Sequence, residues 1–345
     1  MKKCQIGRYW SRIFFLILGL VTSAAFADTS IRISGSSWIH DAPTRLADQS
    51  GYFTGAGQDI TVTYEASGQA SLQSLLDGQV EFALAAATPV ARALLERSGP
   101  DGPLPDDLLV LGTISLSNQT HHLLAPRERG IDSPEDLKGR RIALLKGSSA
   151  EYFWSLFAPV HGIPVGSVEL VDMPKEDMAE SLRDGHVDAL ITWDPWIFRF
   201  ERDLDMVMVS FTDRQVFSMN WLLVTQRKHL DHYPGAAQDI LKGYIRAING
   251  IHADPDAGVL HPDDSQDLPR DYVRSMERRI IYNVGLNWSI LIDIERQFDW
   301  LLGRGESTAS MRPEPDQYLE PGPLWAVAPE RVLLPDIWQR GDVRP

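Results

Sequence analysis

The stretch "DALITWDPWIF", Asp188–Phe198, joins an apolar run to two tryptophans that flank an Asp-Pro. Ala189-Leu190-Ile191 reads as a short buried strand. Pro195 cannot donate to a sheet ladder, so the strand is expected to stop near Thr192. The proline also pushes Asp194 out of the α region. Trp193 and Trp196 then sit on a turn at the C-terminal end of a strand, which in open α/β sheets is the end where ligands bind.

The segment leading into this turn has a counterpart upstream. "TVTYEASGQASLQSLLDGQVEFALAAATP" (Thr61–Pro89) and "ELVDMPKEDMAESLRDGHVDALITWDP" (Glu169–Pro195) share one plan. Each reads as strand, loop, amphipathic helix, Asp-Gly, then valine, an acid and three apolar residues. Leu72, Leu75 and Leu76 recur at i, i+3 and i+4, and Met178 and Leu182 at i and i+4, as one helix face requires. Gly78 and Gly185 suit the left-handed position just past a helix end. Val80–Leu84 and Val187–Ile191 read as buried strands. The shared D-G-x-V-[DE] predicts two similar lobes.

Other segments extend the alternation. Ile31–Ile33 is a first strand, and Asp41 with Pro43 opens a helix closing near Gly51. Leu108–Ile114, His122–Ala125, Arg140–Leu145 and Phe217–Thr225 read as strands, the last returning the chain to the first lobe. Ser133-Pro134-Glu135 opens a short helix. Helical patterns cover Ala236–Asn249 and Arg270–Leu301. This predicts a mixed, largely parallel sheet in each lobe. The lobes are drawn as 28–117 with 223–345, and 118–222. From Pro313 onward the chain is rich in proline and is expected to wrap a lobe surface.

The N-terminal residues read as a secretion signal. Lys2, Lys3, Arg8 and Arg12 precede the apolar run Ile13–Val21, which is shorter than the roughly 20 residues of a spanning helix, and Ala25-Phe26-Ala27 is an A-x-A cleavage site. Loss of residues 1–27 removes four basic and no acidic residues, taking the formal charge from −14 to −18. It also removes Cys4, the only cysteine, so no disulfide stabilises the mature chain. So acidic a chain is not a general binder of nucleic acid or anionic membranes. Local positive potential has to come from helix N-termini.

The strongest site signal is "LLKGSSAEYF", Leu144–Phe153: a strand, Gly147, then Ser148 and Ser149 at a helix start, where backbone N–H groups and hydroxyls make an anion site. Lys146 adds charge if it turns inward. In the first lobe, Ser67, Gly68 and Gln69 precede a helix, and Thr88 is placed as N-cap with Pro89 at N1. Several helix starts facing one cleft can hold a sulfonate, nitrate or carboxylate without arginine. Ser37 and Trp38 follow the first strand, and Trp221 lies in the returning one. Indoles at strand ends suit an organic ligand, although each suits a core as well. Asp194 either accepts a hydrogen bond from a ligand or caps the helix that follows. Catalytic and metal motifs are missing: HExxH, CxxC and GxSxG do not occur. His121 and His122 point to opposite faces of a strand and do not converge on one metal. Asp263-Asp264 reads as solvated surface.

The segments "ADQSGYF" (Ala47–Phe53), "DLKGRRIALLKGSSAEYF" (Asp136–Phe153) and "LRDGHVDALITWDPW" (Leu182–Trp196), in this order, resemble the periplasmic substrate-binding proteins of ABC importers for aliphatic sulfonates, taurine and nitrate, a group that includes binders of thiamine-pyrimidine precursors. The resemblance runs from about Ile31 to about Leu302. It implies an α/β, two-lobed periplasmic binding protein fold (type II-like), each lobe a mixed sheet flanked by helices, joined by two crossing strands. It implies a ligand in the cleft, with Ser148 and Ser149 facing it and Trp193 and Asp194 at the wall. The implied function is a periplasmic receptor that captures a small organic anion, foremost an aliphatic sulfonate or taurine, for an inner-membrane ABC permease. Nitrate, a thiamine-pyrimidine precursor and an aromatic acid are the alternatives. A sensory receptor and a pyrimidine-synthase-like enzyme stand further off. The implied protein is a monomer that carries no cofactor, catalyses no reaction and binds no nucleic acid.

Overall fold

The computed structural model describes residues 30–36, 38–53, 59–97, 107–164, 166–254, 268–305 and 312–335. The secretion signal, Ser37 and Asp263-Asp264 lie outside the described residues. The chain opens with β1 (Ser30–Ser36), α1 (Ala42–Gln49), β2 (Asp59–Glu65), α2 (Gly68–Leu76), β3 (Phe82–Ala86), α3 (Ala87–Arg97) and β4 (Leu108–Ser117). It continues through β5 (His121–Pro126), β6 (Arg141–Leu144), α4 (Ser149–Val160), β7 (Glu169–Asp172), α5 (Lys175–Arg183), β8 (Ala189–Trp193), α6 (Trp196–Asp203) and β9 (Met208–Phe211). It ends with β10 (Met219–Gln226), α7 (Arg227–His232), α8 (Ala236–Ala253), α9 (Arg270–Glu277), β11 (Ile281–Asn287), α10 (Trp288–Gly303), α11 (Pro315–Tyr318), α12 (Gly322–Val327) and β12 (Val332–Leu333).

Two sheets result. One has the order β12-β11-β4-β10-β3-β1-β2, the other β7-β6-β8-β5-β9. Within them, β3-β1-β2 and β8-β6-β7 are the same parallel unit, and each is bordered by an antiparallel strand, β10 beside β3 and β5 beside β8. The two lobes are therefore structural repeats. The acid of the shared motif has one role in both. Glu81 accepts from the Arg32 backbone N–H at 2.7 Å and pairs with its guanidinium at 2.8 Å. Asp188 accepts from the Arg141 N–H at 2.9 Å and pairs with its guanidinium at 3.1 Å. The acid thus satisfies an amide near the start of the neighbouring parallel strand. Gly78 (φ 72°) and Gly185 (φ 76°) end the two helices in the left-handed region.

The central strands β3, β8 and β10 are buried along their whole length, as strands covered on both faces must be. Each sheet carries antiparallel pairs as well as parallel ones, so "largely parallel" overstates the order: β10 runs against both β3 and β4, and β5 against both β8 and β9. The helical reading of Arg270–Leu301 is also corrected, because it contains the strand β11. There Tyr282, Val284 and Leu286 are buried while Ile281 and Asn283 are exposed, a period of two that marks a strand. The proline-rich C-terminal segment lies along the larger sheet. Leu319 forms a bridge to Val110, Leu324 is buried, and β12 pairs with β11.

Candidate functional site

A cleft lies between the sheets. The larger-sheet side supplies Ser36 and Trp38 after β1, Ser67, Gly68 and Gln69 at the start of α2, and Ala86 and Pro89 where β3 runs into α3. Trp221 of β10 completes that wall. The facing wall is Leu145, Ser148 and Ser149 at the start of α4, with Trp193 at the end of β8. Among the described residues no charged side chain lines this cleft. Two helix starts, of α2 and α4, meet across it, and helix N-termini carry partial positive charge on their backbone N–H groups.

Of the residues read from the sequence, Trp38, Ser67, Gly68, Gln69, Ser148, Ser149, Trp193 and Trp221 come together here. Thr88 does not reach the lining; it is buried inside α3, which begins at Ala87. Pro89 is then the third helical residue rather than the first. Its missing N–H still falls among the first-turn donors that have no helical acceptor, so the helix tolerates it. Asp194 points away from the cleft and does not cap α6 either, whose N-cap Pro195 has no side-chain bond. The Asp194 carboxylate accepts from the Tyr272 hydroxyl of α9 and lies 3.5 Å from the Arg279 guanidinium. Burial raises its pKa to about 6, against the opposing pull of Tyr272 and Arg279.

The two serines of the K-G-S-S stretch are not equivalent. Ser148 is the N-cap of α4: its Oγ accepts from Ala150 N at 3.2 Å and donates to Leu145 O at 2.6 Å. Its proton is committed to the backbone. The Ser149 Oγ instead lies 2.8 Å from His121 Nε2. Ser67 caps α2, accepting from Ala70 N at 3.2 Å. Gly68 is glycine because a Cβ there would stand 2.4 Å from the Trp221 ring and 3.0 Å from Ala85 Cα. That close approach presses the start of α2 against an indole of the cleft.

Three site residues escape a reading of the sequence. Ser36 ends β1 and lines the cleft. Asp41, expected only to open α1, makes no cap bond. Its fully buried carboxylate accepts from Ser36 N (2.6 Å), Ser36 Oγ (2.8 Å), Thr44 Oγ1 (2.9 Å) and Trp221 Nε1 (2.9 Å), and so fixes one indole. His121 stands behind Ser149. The local sequence carries no sign of Ser149 as the partner of His121 or of Trp221 as a partner of Asp41, 28 and 180 residues away. Trp38 stands at the centre of the aromatic group, its ring 5.2 Å from Trp221 and 6.1 Å from Trp193, so indoles from both sheets meet.

Further contacts join the two sides beyond the cleft. Glu151 of α4 is buried; Oε1 lies 3.0 Å from Arg304 in an ion pair outside hydrogen-bond geometry, and Oε2 lies 3.8 Å from Arg92 of α3. Among the described residues no cluster of three or more His, Cys, Asp or Glu is placed to hold a metal ion. His121 and His122 turn to opposite sides, His122 Nδ1 meeting Ser210 Oγ at 2.7 Å.

Residues 39–258 match the profile of the family described as NMT1/THI5 like. A protein of Bacillus subtilis (strain 168) named for the binding of aliphatic sulfonates is 22% identical over 291 residues, covering 82% of this chain and 82% of its own. The taurine-binding periplasmic protein of Escherichia coli (strain K12) is 22% identical over 258 residues, 74% of this chain and 77% of its own. The alkanesulfonate-binding protein SsuA of Xanthomonas axonopodis pv. citri, solved with MOPS bound, superposes with a TM-score of 0.66 at 17% identity, covering 89% of this chain and 99% of that one. The fold is thus that of the two-lobed periplasmic binding proteins.

Proposed function

Because the chain belongs to the NMT1/THI5-like family, we propose that it is the solute-binding receptor of an ABC importer, capturing a small organic sulfonate between its lobes. The observation that carries this reading is the cleft itself. Two helix starts face each other across a space lined by three indoles and, among the described residues, no charged side chain. An acidic group binds at the helix starts, and an organic tail lies against the indoles. The relatives named for aliphatic-sulfonate and taurine binding support the ligand class.

On the same reading the mature chain begins at Asp28, works as a monomer in the periplasm and catalyses no reaction. The lobes are 28–117 with 223–345, and 118–222, and ligand binding closes one on the other. Of the sequence-derived site, Ser149 is the hydroxyl donor and Ser148 the helix cap. Trp38, Trp193 and Trp221 cover the tail.

The test is a calorimetric and thermal-shift panel of alkanesulfonates, taurine, nitrate, pyrimidines and aromatic acids. A ligand at about 100 times its Kd adds about 2.7 kcal/mol of stability. A panel without any binding anion overturns the reading. Ser149→Asp places a carboxylate against the bound anion and should abolish sulfonate binding, while a negative charge in the first turn of α4 keeps the helix. Tight sulfonate binding by this variant would move the acidic group to another wall.

A further inference from the structure

The Ser149 hydroxyl is held by a ring that has a choice. His121 Nε2 lies 2.8 Å from Ser149 Oγ, and its Nδ1 lies 3.4 Å from Thr120 Oγ1. The ring is 2% exposed and packs against Phe217 at 4.8 Å, Trp193 at 5.9 Å and Trp38 at 6.4 Å. Burial above all, and then the neighbouring His122, pull its pKa down to about 3. The imidazole is therefore neutral, with one nitrogen a donor and the other an acceptor.

The line Thr120–His121–Ser149 can run in two senses. In one, Ser149 donates to Nε2 and turns oxygen lone pairs toward the cleft. In the other, Thr120 donates to Nδ1, Nε2–H donates to Ser149 Oγ, and the Ser149 proton is left for the cleft. Lone pairs facing an anion at close range repel it, so an anion selects the second sense. The nearby His40 has no such choice. Ser115 Oγ donates to His40 O at 3.1 Å, so at 2.8 Å the same oxygen has to accept from His40 Nδ1–H. The Ser148 proton is engaged by Leu145 O. That leaves Ser149 as the α4 hydroxyl whose polarity is adjustable.

We infer that His121 is a positioning residue that sets the polarity of the binding site: as the Nε2–H tautomer it makes Ser149 a donor to an anionic oxygen. This rests on the reading of the cleft as an anion site. The experiment uses the full mature chain, 15N-labelled at histidine, with propanesulfonate as probe. Saturation should leave His121 with a protonated Nε2 and an unprotonated Nδ1 in the 15N spectrum. His121→Gln places an amide donor near the position of Nε2 and should bind within about threefold of wild type. His121→Leu removes the donor that orients Ser149 and should bind at least about tenfold more weakly. A role in packing alone would not reproduce the tautomer signal or the rescue by glutamine. If propanesulfonate binds and His121 carries its proton on Nδ1, this inference falls while the sulfonate reading stands; the same holds if folded His121→Leu binds as tightly as wild type. If wild type binds no sulfonate, both fall. Should His121→Leu fail to fold, the wild-type spectrum still decides.

Discussion

Replacing Asp194 by asparagine should flatten the pH dependence of stability. The Asp194 carboxyl is 1% exposed, bonded to the Tyr272 hydroxyl and 3.5 Å from Arg279. Burial is the largest influence and lifts its pKa from 3.8 to about 6; Tyr272 and Arg279 oppose the shift, and Glu201 adds to it. The folded protein therefore holds this proton more tightly than the unfolded chain does. The stability it contributes is fully present below the unfolded pKa near 4 and is lost as pH rises through about 6. A shift of about two pH units at about 1.4 kcal/mol each gives a loss of about 3 kcal/mol between pH 4 and pH 7.5. Asparagine has no proton to release, and its amide oxygen can still accept from Tyr272. Asp293 also has a raised pKa of about 6, again mainly from burial, but it is common to both proteins and cancels in the difference. Urea unfolding of wild type and Asp194→Asn at intervals across this range supplies the difference curve. Wild type should lose about 3 kcal/mol relative to the variant over the window. Parallel curves would refute the argument that the buried carboxyl holds its proton up to pH 6.

Gly68→Ala forces a methyl to within 2.4 Å of the Trp221 ring and 3.0 Å of Ala85 Cα; it should destabilise the protein by about 1–3 kcal/mol and shift the indole fluorescence, as a thermal melt followed at tryptophan emission will read. Glu151→Gln removes the charge that meets Arg92 and Arg304 across the two sides; small-angle scattering of the unliganded variant should show a larger radius than wild type, and identical profiles would count against these pairs as closing contacts.

The repeat was readable because its determinants are local. Helix periodicity, a glycine past each helix end and an apolar strand all lie within thirty residues, and the structure keeps each. The paired acids were visible as well, though their role was not: Glu81 and Asp188 serve Arg32 and Arg141, 49 and 47 residues away. Strand ends moved by one to three residues, β1 running on to Ser36, β4 to Ser117 and β8 to Trp193, because ladder partners rather than propensity end a strand. The strand β11 was hidden in a helical reading, since "IYNVGLN" becomes a strand through pairing with β4. At the site, residues that touch the cleft through a helix start or a strand end were legible. Those that act one layer back were not. Asp41, His121 and the outward turn of Asp194 all depend on side chains that only the folded sheets bring near. Ser148 and Ser149 look alike in sequence, and their difference appears only when Leu145 O takes one proton and a ring nitrogen faces the other hydroxyl.

The strands β4 and β10 are antiparallel neighbours, and Ser117 stands opposite Met219 at the end of the pair. The whole of residues 118–218, with the five-stranded sheet inside it, thus leaves the larger sheet and rejoins it at two points one strand spacing apart, about 5 Å. Two close anchors define a rotation axis and little else. Swinging about that axis bends only two short threads, whereas sliding or twisting across it would strip the ladder between β4 and β10. For the proposed closure, this spacing favours rotation about that axis over other motions. In the closure proposed above, the start of α4 would return to the start of α2 along one arc.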